Sequence, residues 1–160
     1  MATGAKSDRG WLRRSYLFSF SMCEMISSNQ PLNIPSKLHS SFTDSLRNKF
    51  ISLGQSLHQH LELAFHEDQT ADRLPASLSS LPSARAERVT KTGIIARLRG
   101  RDHHGPVVAL RGDIDVLPIQ EATGLEYTSM NRGVMHACGH DVHATGAVGA
   151  AHLLVKNGRS

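Results

Sequence analysis

The amino-acid sequence predicts an α/β fold, in which helices pack on a sheet. Three features lead to this prediction: a helical apolar pattern over residues 42–61, two β-rich segments at 93–100 and 105–115, and a second helical pattern over residues 143–158. Helical and strand segments that follow one another in this way are typical of a sheet covered by helices. A length of 160 residues corresponds to one domain or a part of one.

The composition excludes two classes of partner. The net charge is +4, but the first 41 residues hold five of the 18 Lys and Arg and only two of the 14 Asp and Glu, so the remainder is nearly neutral. A nucleic-acid-binding domain would need a basic stripe or an aromatic platform, and the sequence has neither. No apolar stretch reaches the roughly 18 to 20 residues that a membrane span requires. We therefore expect no nucleic-acid and no membrane partner.

Residues 1–41 are predicted to be a disordered extension or linker, and residues 42–160 to be the folded part. The second half of the extension is rich in Ser, Asn and Pro, as linkers commonly are. Basic residues before an apolar run weakly resemble a targeting segment, but Glu24 interrupts the run. Cys23 and Cys138 lie in unlike surroundings, so no disulfide framework is expected. The chain is predicted to be cytoplasmic, with a targeting segment as the alternative.

A first helix is predicted over residues 42–61. Ser41 or Thr43 can cap its N-terminus, because a side-chain oxygen there can accept a hydrogen bond from the first turn. Its histidines, His58 and His60, are expected to be surface or packing residues rather than ligands. The apolar residues that share one face of this helix are Phe42, Leu46, Phe50, Leu53, Leu57 and Leu61.

A second helix is predicted over residues 70–81, where Leu74, Leu78 and Leu81 have helical spacing. Pro75 lies inside this segment. Because proline removes a backbone donor and clashes with the preceding turn, the helix is expected to be short, to be kinked or to begin at Pro75.

The two β-rich segments, at 93–100 and 105–115, are predicted to pair as a hairpin across the polar connection between them. Residues 107–110 form an almost continuous apolar run, which is typical of a strand buried on both faces. A last helix is predicted over residues 143–158, with Lys156 in its final turn and glycine at its end.

Asp113 and Asp115 follow the second β-rich run directly. Open α/β sheets carry their sites just beyond the carboxyl ends of the strands, so both carboxylates stand where chemistry is commonly found. The alternative is that they only help the strand to turn, because Asp is a preferred turn residue.

The stretch "GVMHACGHDVHATG" at residues 133–146 predicts a metal site with Cys138 and His140 as ligands. Residues two apart in an extended chain point the same way, so a thiolate and an imidazole can meet one divalent ion such as zinc. The alternative is a buried cysteine packed beside histidines that satisfy loop hydrogen bonds. Asp141 and His143 extend the cluster, and the role of His143 is left open.

His136 and His152 are predicted to be packing residues. A zinc site needs about four ligands, or three protein ligands with one open position. Asp113 or Asp115 can supply one more ligand, but no further dense cluster of His, Asp or Glu follows. The metal site is therefore predicted to be incomplete.

Three stretches, in their order and spacing, resemble a known family. They are "KTGIIARLRG", "VVALRGDIDVLPIQEATGLEYTS" and "GVMHACGHDVHATGAVGAAHLL". The resemblance is to the N-terminal part of the amidohydrolase branch of the aminoacylase-like metallopeptidases, which includes hippurate hydrolases, N-acyl-amino-acid amidohydrolases and auxin-conjugate hydrolases. It implies that residues 42–160 are the N-terminal part of a mixed-sheet metallopeptidase catalytic domain, with the lid domain absent.

The resemblance also implies an activity, the cleavage of the amide bond of small N-acyl amino acids with two divalent ions, manganese or zinc. Cys138 and His140 match the family's first metal ligands, whereas Asp113 and Asp115 match carboxylates that support the site. The family's general-base glutamate and its remaining ligands match no residue of this chain, so we expect these residues alone to be an inactive fragment. The complete protein is expected to form a homodimer.

Two other functions stay open. The chain can be a short non-catalytic protein that binds metal weakly or pairs with a full-length homologous subunit. It can also be a structural zinc module, which would need a closed set of four ligands within these residues.

Overall fold

The computed structural model describes residues 15–19, 34–82, 84–102 and 104–158. Its alternation of helices and strands confirms the predicted α/β class. In chain order the elements are β1 (Ser15–Ser19), α1 (Ser36–Ser41), α2 (Asp44–Gln59), α3 (Asp68–Leu78), β2 (Ala84–Arg88), β3 (Ile94–Leu98), β4 (Val107–Arg111) and α4 (His140–Gly158).

The strands pair differently from the prediction. β2 and β3 are antiparallel, with Ala84 opposite Leu98, and β1 and β4 are parallel, with Ser19 opposite Arg111. The predicted hairpin between β3 and β4 is therefore wrong.

A tight turn before β3 explains why this strand pairs with β2. The Val89 amide donates to the Gly93 carbonyl (3.1 Å), and the Gly93 amide donates to Thr90 Oγ1 (2.9 Å), so the chain reverses between β2 and β3. β2 has the sequence "ARAER", in which small alanines alternate with charged residues, so its apolar signal is weak. Ala84 and Ala86 nevertheless pack against the core, and this burial fixes the strand.

β4 is more exposed than its sequence predicts. Val107 is 63% exposed and Val108 is 55% exposed, so the prediction of a strand buried on both faces is wrong for the part of the chain that the structure describes. The physical reason is an open groove of about 1810 Å³ between β4 and the β2–β3 pair, lined in part by Leu98, Val108 and Leu110. Val108 and Leu110 of β4 border this groove instead of a covered core.

The core lies where α2, α3 and α4 meet. Phe50 and Leu57 on α2 pack with Leu74 on α3 and with Val148 on α4. Where α2 crosses α4, a Cβ atom at Gly149 would lie 3.3 Å from the Phe50 ring, so the small residue allows a close approach. This packing holds the start of α4, which carries several of the candidate site residues, against α2.

The helix predictions are confirmed in type, with shifted ends. The Leu46 amide donates to Thr43 Oγ1 (3.4 Å), so Thr43 is the N-cap of α2. Pro75 lies inside α3, which begins at Asp68 and therefore does not start at the proline. α4 begins at His140, three residues before the predicted start.

Part of the predicted extension is structured. α1 packs against the end of α4: Ser41 Oγ donates to Asn157 Oδ1 (2.9 Å), and Lys156 Nζ donates to the Ser41 carbonyl (3.0 Å). β1 also falls within residues 1–41, whereas residues 1–14 and 20–33 lie outside the described residues. None of the helices in the described ranges is both long and apolar enough to cross a membrane.

Candidate metal centre

The candidate site lies where the end of β4 meets the start of α4. Gly112 makes this contact possible, because a Cβ atom there would lie 2.7 Å from the His143 carbonyl oxygen and 3.2 Å from the Ala144 Cα. A side chain at Gly112 would push the strand end and the helix apart. The close approach brings Asp113, which follows the glycine, to the first turn of α4.

Three side chains of types that can bind a metal ion meet at this contact. Asp113, His140 and His143 each place one donor atom within 4.8 Å of the other two. All three residues are half-buried. The Nε2 atom of His143 is buried and has no hydrogen-bond partner among the described residues, so it is available as a donor to a metal ion. The structure therefore brings His143, whose role the sequence leaves open, into the candidate site.

Asp115 fixes the ring of His140. The Nδ1 atom of His140 lies 2.9 Å from Asp115 Oδ1 and 3.0 Å from the Asp115 carbonyl oxygen. A proton on Nδ1 can be donated to either oxygen, which leaves Nε2 as the atom that can bind a metal. Metal-binding histidines commonly donate their second N–H to a carboxylate or carbonyl in this way. Asp113 in turn lies 2.5 Å from Arg111 Nη2.

Cys138 lies outside this cluster of three donors. Its thiol is exposed and free of any disulfide. Gly139 has a φ of +73°, in the left-handed region, and its amide donates to the His136 carbonyl (3.0 Å) immediately before α4 begins. The assumption that Cys138 and His140 lie in an extended stretch is therefore wrong, because the chain turns at the glycine between them.

A buried ionic network lies behind the start of α4. His58 Nδ1 lies 2.7 Å from Asp141 Oδ2, and His58 Nε2 lies 3.1 Å from Glu121 Oε1. All three residues are buried. Burial lowers the pKa of His58, but the hydrogen bonds and charges of Asp141 and Glu121 outweigh burial, so the pKa is raised above its ordinary value.

Glu121 ties the loop between β4 and α4 to this network. The Ser129 amide donates to Glu121 Oε2 (2.7 Å), and the Thr123 hydroxyl donates to Glu121 Oε1. Burial raises the pKa of Glu121, but the hydrogen bonds from Thr123, Ser129 and His58 outweigh it, so the pKa is lowered overall. The loop is also attached to the end of α2, because Asn131 Nδ2 donates to the Leu61 carbonyl (2.6 Å).

The two histidines predicted to pack, His136 and His152, are both buried. Burial lowers the pKa of His136 to about 4, so its ring is neutral at pH 7, and its Nδ1 atom has no partner in the described part of the molecule. Burial also lowers the pKa of His152, whose Nε2 lies 3.2 Å from the Ser77 carbonyl oxygen. Neither belongs to the cluster of three donors.

Comparison with known proteins identifies the family. Residues 109–160, which include Asp113, Cys138 and His140, match peptidase family M20/M25/M40. Over 72% of its length the chain superposes, with a TM-score of 0.68 and 40% identity, on a dinuclear metal-binding peptidase of the M20 family from Bacillus subtilis. Over this part of its length the chain resembles the M20 metallopeptidase family.

Two relatives in sequence are a deacetylase and an amidohydrolase. The chain is 42% identical to an N-acetyl-L-cysteine deacetylase of Bacillus subtilis over 113 residues, which are 71% of this chain and 27% of that enzyme. It is 44% identical to an N-acyl-L-amino acid amidohydrolase of Geobacillus stearothermophilus over 111 residues, 69% of this chain and 30% of the relative. The family resemblance is confirmed, and the described α/β fold is a part of an M20 peptidase domain.

The chain spans less than one third of these M20 relatives. The shares are 27% and 30% for the two amidohydrolases, and 33% for the solved B. subtilis peptidase.

Proposed function

We propose that these residues form part of a metal-dependent amidohydrolase that cleaves the amide bond of N-acyl amino acids. The observation that carries the proposal is the geometry at His140, whose Nδ1 is held by Asp115 (2.9 Å) and whose ring stands with Asp113 and His143 in one cluster of donors. The names of the two amidohydrolase relatives support the substrate class.

The donors fit a divalent metal ion. Two imidazoles and a carboxylate suit zinc or manganese, and the thiolate of Cys138 would favour zinc. A bound ion would lower the pKa of water and polarise the amide carbonyl. One relative in structure is described as dinuclear, which supports two ions in a complete site.

Each residue has a distinct part in this proposal. His140 binds metal through Nε2, and Asp115 holds the Nδ1 proton so that the ring keeps its orientation. Asp113 and His143 offer further donor atoms to the ion. Cys138, two residues before His140, is proposed as a further ligand.

We further propose that these 160 residues do not turn over substrate by themselves. A general base must be free to take a proton from water. The carboxylates near the cluster already have partners: Asp113 pairs with Arg111, Asp115 with His140, and Glu121 with His58. The base and the substrate pocket are therefore expected from another segment, and homodimer formation is expected of the complete enzyme.

The test is a chimera. The matching 111 residues of the Geobacillus stearothermophilus amidohydrolase are replaced by those of this chain, and amino-acid release from N-acetyl amino acids is measured with added manganese or zinc. The chimera is expected to be active and to lose activity with His140→Ala, whereas His66→Ala, an exposed histidine outside the cluster, leaves activity unchanged. A folded chimera that binds metal but releases no amino acid would contradict the proposal.

A test of the isolated chain accompanies the chimera. The purified 160 residues are expected to release no amino acid from N-acetyl-L-cysteine at any manganese or zinc concentration. Turnover that disappears in the Cys138→Ala variant would show that the chain is active by itself.

A further inference from the structure

We propose that His58 is a positioning residue of the metal site, which holds the start of α4 and the loop before it in the register where His140 meets Asp115. The inference rests on the proposed function, because it concerns the same metal site. His58 belongs to α2, and its hydrogen bonds go to Asp141 and Glu121, which are not members of the donor cluster.

His58 lies between two tightly packed residues. Leu57, the residue before it, is 2% exposed and packs in the main core, and Leu61, one turn later, is equally buried in a second cluster. Side chains in such packed positions have little freedom to shift. His58 therefore lies in the last turn of α2, between one leucine packed within the helix and another packed just after its end.

The two hydrogen bonds of His58 lead to two different segments of the chain. One joins His58 to Asp141, the residue directly after His140 in the first turn of α4 (2.7 Å). The other joins it to Glu121 in the loop that begins with Asp113 and Asp115 (3.1 Å). A single imidazole thus connects both segments that carry the donor atoms.

Protonation of the His58 imidazole allows both of its nitrogens to donate a hydrogen bond. A doubly protonated imidazole donates one N–H to each carboxylate, and a buried charged hydrogen bond is stronger and shorter than a neutral one. The ring of Tyr127 contacts the His58 ring edge-on at 5.5 Å between centroids, and the ring of neutral His136 lies 6.1 Å away. Both ring nitrogens of His58 are thus engaged by carboxylates, and these two hydrogen bonds fix the orientation of the imidazole.

The role is a positioning role because His58 acts through Asp141 and Glu121. If the bridge is removed, the two buried carboxylates lose their shared counter-charge and repel each other. The first turn of α4 and the loop would then separate, and the contact between His140 Nδ1 and Asp115 would be lost. Supporting residues of this kind change metal affinity by roughly 10 to 100-fold.

The experiment measures the His140 ring directly by nitrogen-15 NMR of the imidazole in the metal-free 160-residue chain. The wild-type ring is expected to be a single tautomer with its proton on Nδ1. His58→Leu is expected to give a mixture of tautomers, and His58→Gln, which keeps one amide donor, an intermediate state. A wild-type tautomer distribution in a folded His58→Leu or His58→Gln variant would overturn the inference.

A matched control separates positioning from general stability. His152 is also a buried histidine, it packs edge-on against Phe50 (5.5 Å), and it lies outside the metal site. His152→Leu is expected to lower the melting temperature while leaving the His140 tautomer unchanged. If His152→Leu disturbs the His140 ring as strongly as the His58 variants do at equal loss of stability, the effect is general and the inference is overturned.

A second measurement uses cobalt(II) alone as the metal probe. His58→Leu is expected to weaken cobalt binding by about tenfold or more relative to wild type and to His152→Leu. A wild-type chain that binds no cobalt contradicts the proposed metal site, and the NMR result then still decides the role of His58. A wild-type chain that binds cobalt with the same affinity as His58→Leu contradicts the positioning role and leaves the proposed function standing.

Discussion

The Nδ1 atom of His140 lies 2.9 Å from Asp115 Oδ1, and both residues flank the contact between the end of β4 and the start of α4. The carboxylate can therefore accept a hydrogen bond from a proton on Nδ1 of His140. Because Nε2 is then deprotonated, it is the nitrogen that can bind a metal ion.

Asp115→Asn tests this relationship. The amide can still accept a hydrogen bond, but the negative charge that makes the imidazole a better ligand is lost. We expect zinc affinity to fall by roughly 10 to 100-fold, measured by competition with a chromophoric chelator. Asp72→Asn removes an equal charge from an exposed carboxylate on α3 that pairs with Arg88, and it should leave zinc affinity unchanged.

His143→Ala distinguishes the donor cluster of the structure from the ligand pair of the sequence. The unpartnered Nε2 of His143 belongs to the cluster with Asp113 and His140, so its removal is expected to weaken zinc binding by about tenfold or more. The measurement is the same competition titration, with Cys138→Ala in parallel. Full affinity in His143→Ala and loss in Cys138→Ala would favour Cys138 and His140 as the only ligands in this chain.

The buried His136 makes the protein sensitive to acid. Its folded-state pKa is about 4 against an ordinary value of 6.5, so the unfolded state binds the proton more tightly. The free energy of unfolding should therefore fall as the pH falls from about 6.5 towards 4, and His136 alone should lower it by about 2 kcal/mol between pH 7 and pH 5.

The variant that checks this sensitivity is His136→Phe, which cannot take up a proton. Urea unfolding at pH 7 and pH 5 should show a smaller loss of stability in His136→Phe than in wild type. His58 is present in both proteins, so its opposite dependence on pH cancels to first order in the comparison. An equal loss in the two proteins would contradict the low pKa of His136.

Leu57 lies in the hydrophobic core and is 2% exposed where α2 meets α3 and α4. Leu57→Ala is expected to lower the free energy of unfolding by about 2 to 5 kcal/mol, because it removes buried methyl groups and leaves a cavity. Ile51→Ala on the same helix is the control, since Ile51 is 50% exposed. Urea titrations of both variants should show a clearly larger loss for Leu57→Ala.

The sequence predicts the helices well and the strand pairing poorly. The spacing of Phe50, Leu57 and Leu61 predicts α2 because one helical face is buried, and the structure confirms that burial. β2 escapes prediction because its apolar residues are alanines, and its pairing with β3 depends on a turn closed by a Thr90 side-chain hydrogen bond. Such turns depend on side-chain geometry that apolar spacing does not encode.

Only some residues of the candidate site can likewise be selected from the sequence. The sequence is sufficient to select Asp113, Asp115 and His140 as candidates, because they lie close to a strand end or to a motif rich in histidine and cysteine. The network of His58, Glu121 and Asp141 cannot, because its hydrogen bonds join residues 63 and 83 positions apart. The only sequence signal is that His58 lies next to the buried face of α2, between Leu57 and Leu61.

The left-handed turn at Gly139 also cannot be predicted from the sequence. Glycine between Cys138 and His140 permits either an extended chain or a turn, and only the structure shows a φ of +73°. Cys138 is consequently exposed instead of lying beside His140 in the cluster. Its part in metal binding stays a prediction.

The most direct test of the metal site is isothermal titration of the 160-residue chain with zinc, in wild type and in His140→Ala. The site is centred on His140, so wild type is expected to bind zinc and His140→Ala to bind it at least about tenfold more weakly, with the same circular dichroism spectrum. Equal zinc affinity in the two folded proteins would contradict a metal site at His140.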